Sequence, residues 1–278
     1  MKHFVPVRIF LFTAVLLYSV ATAFSATDAP GNISRGISAE GSCAVIGTSA
    51  EQSQLIALQR ARAAAIEQAA GVHVSSTTLV TDFMLTLDSI KTYSRGFIVS
   101  EQVEWLPLGQ YQKDRSTAPI PEYRVRISAD VRMPEQKVKP LGLQARTSAT
   151  VYRNGEPAWV EVKTSRPARI GIFNITADDR VVLVFPNQHD HANFVRRGEP
   201  LHYPDKKSTA ELEMQVLPGH SRDAEAFFIV ALDEKYPVQL EDRFTPLQSL
   251  PLAEFFARYD EFADYGEDSV LAYAIVGK

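Results

Sequence analysis

The sequence predicts an α+β fold: an N-terminal helix-on-sheet module, β-α-β-β, followed by a mainly-β sandwich or open barrel that closes with a helix and a strand. Three observations carry this. Residues 52–70 are nearly all good helix formers. Residues 96–106 and 123–133 alternate apolar and polar like the arms of a hairpin. Beyond residue 148, short apolar runs recur between turn residues, the pattern of a β-rich domain.

The elements follow in order. Lys2 and Arg8 precede an apolar run over 9–20 that ends in Ala21-Thr22-Ala23, the layout of a secretory signal peptide over 1–25, cut near Ala23 to Ala26. The expected location is therefore the periplasm or outside the cell. The run is short of the ~20 residues a spanning helix needs, and no transmembrane segment is expected in the mature chain. Residues 26–39, with Pro30, Gly31 and Gly36, read as a flexible lead-in. The first domain is expected over 40–133. It opens with a buried strand at 42–47.

In the helix at 52–70, Leu55, Leu58, Ala61, Ala65, Ile66 and Ala69 share one side, with Arg60 and Glu67 opposite. Its alanine-rich face suits close approach to a sheet, and Gly71 stands where a left-handed C-terminal cap belongs. Arg62 falls on the apolar face. A rim arginine snorkelling to water is expected, with a buried ion pair or anion site as the alternative. Residues 75–91 suit a short helix or an insertion. The hairpin arms follow, joined by a loop with Pro119 and Pro121.

Residues 134–148 read as a linker and 149–278 as the second domain. Strands are expected at 159–163, 168–175, 181–185, 210–216 and 227–232, with turns at Asn154-Gly155, Asp178-Asp179, Pro186-Asn187 and Pro218-Gly219. Residues 227–232 are apolar throughout, which predicts a central strand covered on both faces. Ser249 is placed to cap a helix through 252–259, and 269–276 reads as a last strand docked on this domain.

The net charge is −4, and loss of a leader holding Lys2 and Arg8 makes it more negative. That argues against nucleic acid or an anionic membrane surface as main partner. The one cysteine, Cys43, has no intramolecular partner and reads as a small buried residue. No cofactor is expected.

Two stretches resemble known families. Ala44-Val45-Ile46-Gly47, the alanine-rich helix ending Ala69-Ala70-Gly71-Val72-His73-Val74-Ser75-Ser76, Ser94-Arg95-Gly96-Phe97-Ile98, Val103-Glu104-Trp105 and Tyr123-Arg124-Val125 stand in the order seen in the N-terminal domain of flagellar assembly protein T and related envelope lipoproteins. Residues 42–133 resemble that domain. Val160-Glu161-Val162, Ala168-Arg169-Ile170-Gly171-Ile172-Phe173-Asn174, Val184-Phe185-Pro186-Asn187, Gly198-Glu199-Pro200 and Leu217-Pro218-Gly219 resemble, over 149–236, the β-rich domain of unknown function DUF4384. Together the resemblances imply a bacterial envelope protein with a non-catalytic role and other envelope proteins as partners. They carry over no catalytic residue. The chain lacks a lipobox, and a flagellar role does not follow.

The candidate chemistry is sparse. His189-Asp190-His191 is the most ligand-like cluster, and Zn²⁺ takes such donors, but the spacing gives no third ligand unless His202 approaches. Asn187, His189, His191, Arg196, Arg197 and Tyr203 form the expected ligand or partner surface, with Tyr203 or Trp159 as a stacking ring for sugar. Gly219-His220-Ser221-Arg222-Asp223 has Asp223 where a nucleophile elbow needs glycine. Asp260, Glu261, Asp264, Glu267 and Asp268 read as a polar connection. The leading expectation is an interaction or assembly protein of the envelope. A binding module for a small ligand or envelope glycan is the rival, and a hydrolase is a weak third.

Overall fold

The computed structural model describes residues 32–71, 91–205, 211–236 and 238–277. The expected leader, and the expected helix or insertion at 75–91 apart from Lys91, lie outside the described residues.

Burial alternates along β4 (Ile120–Met133) as its sequence does. Val125, Ile127, Ala129 and Val131 are buried, while Arg124, Arg126 and Ser128 are exposed. This strand is the centre of an antiparallel sheet between β1 (Asn32–Ala44) and β2 (Phe97–Trp105), and the short β3 (Gly109–Tyr111) also pairs with it. β1 starts well before the strand expected at residue 42, inside the supposed flexible lead-in. Pairing with β4 runs from Asn32↔Met133 to Ala44↔Glu122, so the small polar residues of this stretch are held by ladder bonds. A bulge between Ser34 and Ile37 accommodates Gly36, at φ +65°, whose N–H donates to Asp130.

α1 (Ala50–Ala69) covers one face of this sheet. Ser49 and Gln52 form a reciprocal capping box, and Gly71 has the expected positive φ. Gly41 of β1 lies directly under the helix, where a Cβ would overlap the Ala57 carbonyl oxygen. Burial is not confined to one stripe of the helix. Gln52, Ser53, Gln59 and Arg62 are buried along with Ala57, Ala61 and Ala65, because α1 meets residues from both halves of the chain.

The second half is built on a large sheet ordered β15-β10-β9-β14-β16-β6: Ser249–Pro251, Arg180–Phe185, Ala168–Ile175, Arg222–Asp233, Gly266–Val276 and Val151–Arg153. β11 (Phe194–Val195) also pairs with β9. β6 runs parallel to β16, and the other pairs are antiparallel. β14 is central, as expected. Its side chains serve two cores in alternation. Phe227, Ile229 and Ala231 face Val160 and Val162 of β8 (Val160–Lys163) and Tyr203 of β12 (Leu201–Tyr203). Phe228, Val230 and Leu232 share the other core with Ala57 and Ala61 of α1 and with Phe255, Phe256 and Tyr259 of α2 (Leu252–Tyr259). The fold is mixed α+β, mostly strand, with several sheets and no closed barrel among the described residues.

Smaller sheets complete the sandwich: β12-β8-β5, with β5 at Gln144–Thr147, and β13-β7, Leu212–Met214 against Glu156–Ala158. β13 is shorter than the strand expected at 210–216. β5 lies inside the stretch expected to be a linker. Glu267 fixes that stretch by accepting hydrogen bonds from the Leu141 and Leu143 amides, both at 2.8 Å. α2 occupies the predicted span, but its N-cap is Pro251, and Ser249 instead belongs to the edge strand β15.

Candidate functional site

The loop singled out in the sequence is held by one buried side chain. Asn187 donates to the Val184 carbonyl at 2.6 Å and to the Tyr203 hydroxyl at 3.3 Å, and its Oδ1 accepts from the amides of His189 and Asp190. Asn187 is thus a loop brace. Tyr203 is also buried, packed at 5.2 Å against Phe185, and burial pushes its hydroxyl up to about 12. It presents no ring to a ligand. His189 and His191 are exposed, and His189 pairs with the neighbouring Gln188 side chain. Asp190 accepts from the Asp205 amide. No three His, Cys, Asp or Glu among the described residues converge on a common point, this cluster included. Arg196 and Arg197 are exposed beyond β11, with Glu199 at 3.9 Å from Arg196. The residues expected to form one surface therefore divide into braces and solvated side chains.

Trp159, the alternative stacking ring, has a different setting. It sits between β7 and β8, where the chain passes from one small sheet to the other, and remains 38% exposed. It lines a groove of about 560 Å³ with Arg146, Pro157, Ala158, His202, Pro204, Glu211 and Leu212. The Arg146 guanidinium lies over the indole, 5.2 Å from its centroid, and His202 meets the ring edge-on at 6.4 Å. Beneath them Glu161, buried on β8, accepts from Nε and Nη2 of Arg146, each at 3.0 Å. Lys163 and the His202 ring each approach it to 3.3 Å. The bidentate Arg146 bond, with Lys163 in support, holds the Glu161 carboxyl down at about 2. A carboxylate so held is ionised at neutral pH. It orients Arg146 and His202, and is poorly matched to general acid or base work. Tyr203 and Asn187 brace the strand that carries His202, which links the predicted loop to this groove.

The family comparison falls on the same region. Residues 151–222 match the family described as Domain of unknown function (DUF4384). The matched segment carries the whole groove lining except Arg146, which lies on β5 just before it. It does not reach 42–133. No curated protein matches the chain.

Other charged groups singled out in the sequence are structural. Arg62 is buried, not at a rim: Nε donates to Glu101 at 3.0 Å and Nη1 to Asp179 at 2.6 Å. Asp179 is a turn residue as expected, at φ +64°, but its carboxylate also reaches back to α1. Arg132 and Lys137 pair with Asp264, and Arg132 also with Asp260, so the acidic stretch 260–268 fastens the end of β4. Asp223 accepts from the Leu217 amide and sits 2.6 Å from His220, which makes the 219–223 segment a braced turn. Cys43 is buried, and that burial raises its thiol above the ordinary range.

A further exposed feature lies on the first sheet. Val103 and Trp105 of β2 pair with Ile127 and Val125, whose side chains face α1. The helix packs over β1 and β4, and Val103 and Trp105 stay 42% and 46% exposed on the end strand, with Leu108 nearby at 59%.

Proposed function

We propose that this chain is an exported protein of the bacterial cell envelope that works by contact with other envelope proteins and performs no bond chemistry. The leader-like start and the resemblance of 42–133 to the flagellar assembly protein T domain support export and an envelope setting. The observation that carries the contact role is the apolar end strand β2, where Val103 and Trp105 are exposed beside unpaired strand edge among the described residues. Exposed apolar side chains on an end strand are a template for strand addition by a partner. The ionised, fully committed Glu161 of the groove also fits recognition better than proton transfer.

A photo-crosslinking amino acid at position 105 in intact cells tests this. The expected result is a discrete adduct with an envelope protein, lost when Val103→Lys places a charge on the same edge. Absence of any protein adduct, with the chain correctly exported, would overturn the contact role. Retention of the whole chain, leader included, in the cytosol would overturn the location.

A further inference from the structure

The groove around Trp159 is built from residues separate from the β2 edge, and its chemistry selects a ligand of its own. Part of its lining is apolar, Pro157, Ala158, Pro204 and Leu212, and part is polar, Arg146, His202 and Glu211. The Trp159 indole is a flat platform with a guanidinium over it, and the residue remains 38% exposed. A cationic ligand would meet the like charge of Arg146 at the ring. An anionic ligand would find Nε and Nη2 of Arg146 taken by Glu161 and would face the carboxylates of Glu161 and Glu211. What remains is an uncharged molecule with one apolar face for the ring and a rim of hydroxyls that both donate and accept. Arg146 has Nη1 left to donate, Glu211 accepts, and the His202 ring offers a nitrogen.

We propose that this groove binds a neutral pyranoside, a segment of an uncharged glycan, with the part of the Trp159 indole that Arg146 leaves open against the apolar face of the sugar and Arg146, His202 and Glu211 along its hydroxyl rim. Glu161 is a positioning residue in this site. It fixes Arg146 on the indole and touches no ligand.

The chain has two tryptophans, so Trp105→Phe leaves Trp159 as the sole indole and a direct reporter. This protein is titrated with cellotetraose, maltotetraose and the tetramer of N-acetylglucosamine while fluorescence is followed. The expected result is a saturable change with at least one of them, at a Kd of about 1 mM or tighter, insensitive to added salt because no net charge is neutralised. In the otherwise natural chain, Trp159→Ala should weaken that binding by about tenfold or more in calorimetry, with circular dichroism confirming that the variant is folded. Glu161→Gln should weaken it less. If Trp159→Ala does not fold, the single-tryptophan titration decides alone. No saturable response to any of the three sugars up to about ten times that Kd overturns the proposal. So does a response confined to charged peptides or to inorganic phosphate. Neither result bears on crosslinking at position 105.

Discussion

Arg62 and Glu225 show how much a single polar side chain decides inside this protein. Arg62 bridges Glu101 of β2 and Asp179 of the β9–β10 turn, three charges with little water. Replacing one member leaves the others buried and uncompensated, a penalty of about 3–5 kcal/mol. Arg62→Met should therefore lower the free energy of unfolding by that order in a urea titration, whereas Arg95→Met, at an exposed surface pair, should change it by under about 1 kcal/mol. Glu225 is buried beside Tyr273 and Asn174, and desolvation pushes its carboxyl up to about 7. The native state then binds a proton that the unfolded chain releases near pH 4.3. Stability from this group is full below that pH and declines as pH rises toward 7. Asp268, also raised to about 7 by burial, acts in the same direction. Glu225→Gln should flatten the fall in stability between about pH 4.5 and 7, and should leave the variant more stable than the parent at pH 8 by on the order of 3 kcal/mol. A parent stability that rises over that interval would contradict the assignment.

The elements fit together through unusually close contacts at a few points. β1 passes under α1 at Gly41 because neither Gly41 nor the alanines above it hold the backbones apart. Gly41→Ala should push helix and strand apart, costing on the order of 3 kcal/mol in denaturant unfolding with the strand pairing otherwise preserved. α2 presents Leu252, Phe255, Phe256 and Tyr259 on one side, over the span that the sequence predicts. Its partners were not legible there. Phe256 stacks on Phe97 of β2 at 5.2 Å and meets Tyr93 at 5.1 Å, while Phe255 meets Phe173 of β9 at 4.9 Å. One short helix thus touches both large sheets, which accounts for the density of aromatic residues in it.

At the scale of the whole molecule, the described residues form one compact unit, and one of the two cores runs from Val125 and Ile127 of the first sheet through α1 and α2 to Phe228 and Val230 of the second. Such a core should melt once. With Trp105 on the first sheet and Trp159 in the second half, the variants Trp105→Phe and Trp159→Phe each leave one indole reporter. Their unfolding midpoints in urea should coincide, and two separated midpoints would show independently folding halves. The span of α2, the alternation of β4, the central burial of β14 and the positive φ at Gly71 were legible in the sequence, because side-chain periodicity and backbone sterics are local. What each polar group does was not, because its partners are distant in the chain. Arg62 looked like a rim residue because its partners lie 39 and 117 positions away. The His189 to Arg197 surface looked like a site because solvated loop residues and ligating ones have the same composition. The groove at Trp159 escaped because it is assembled from β5, β7, the β7–β8 junction, β12 and the start of β13, and only the sheet pairing brings those segments to one place.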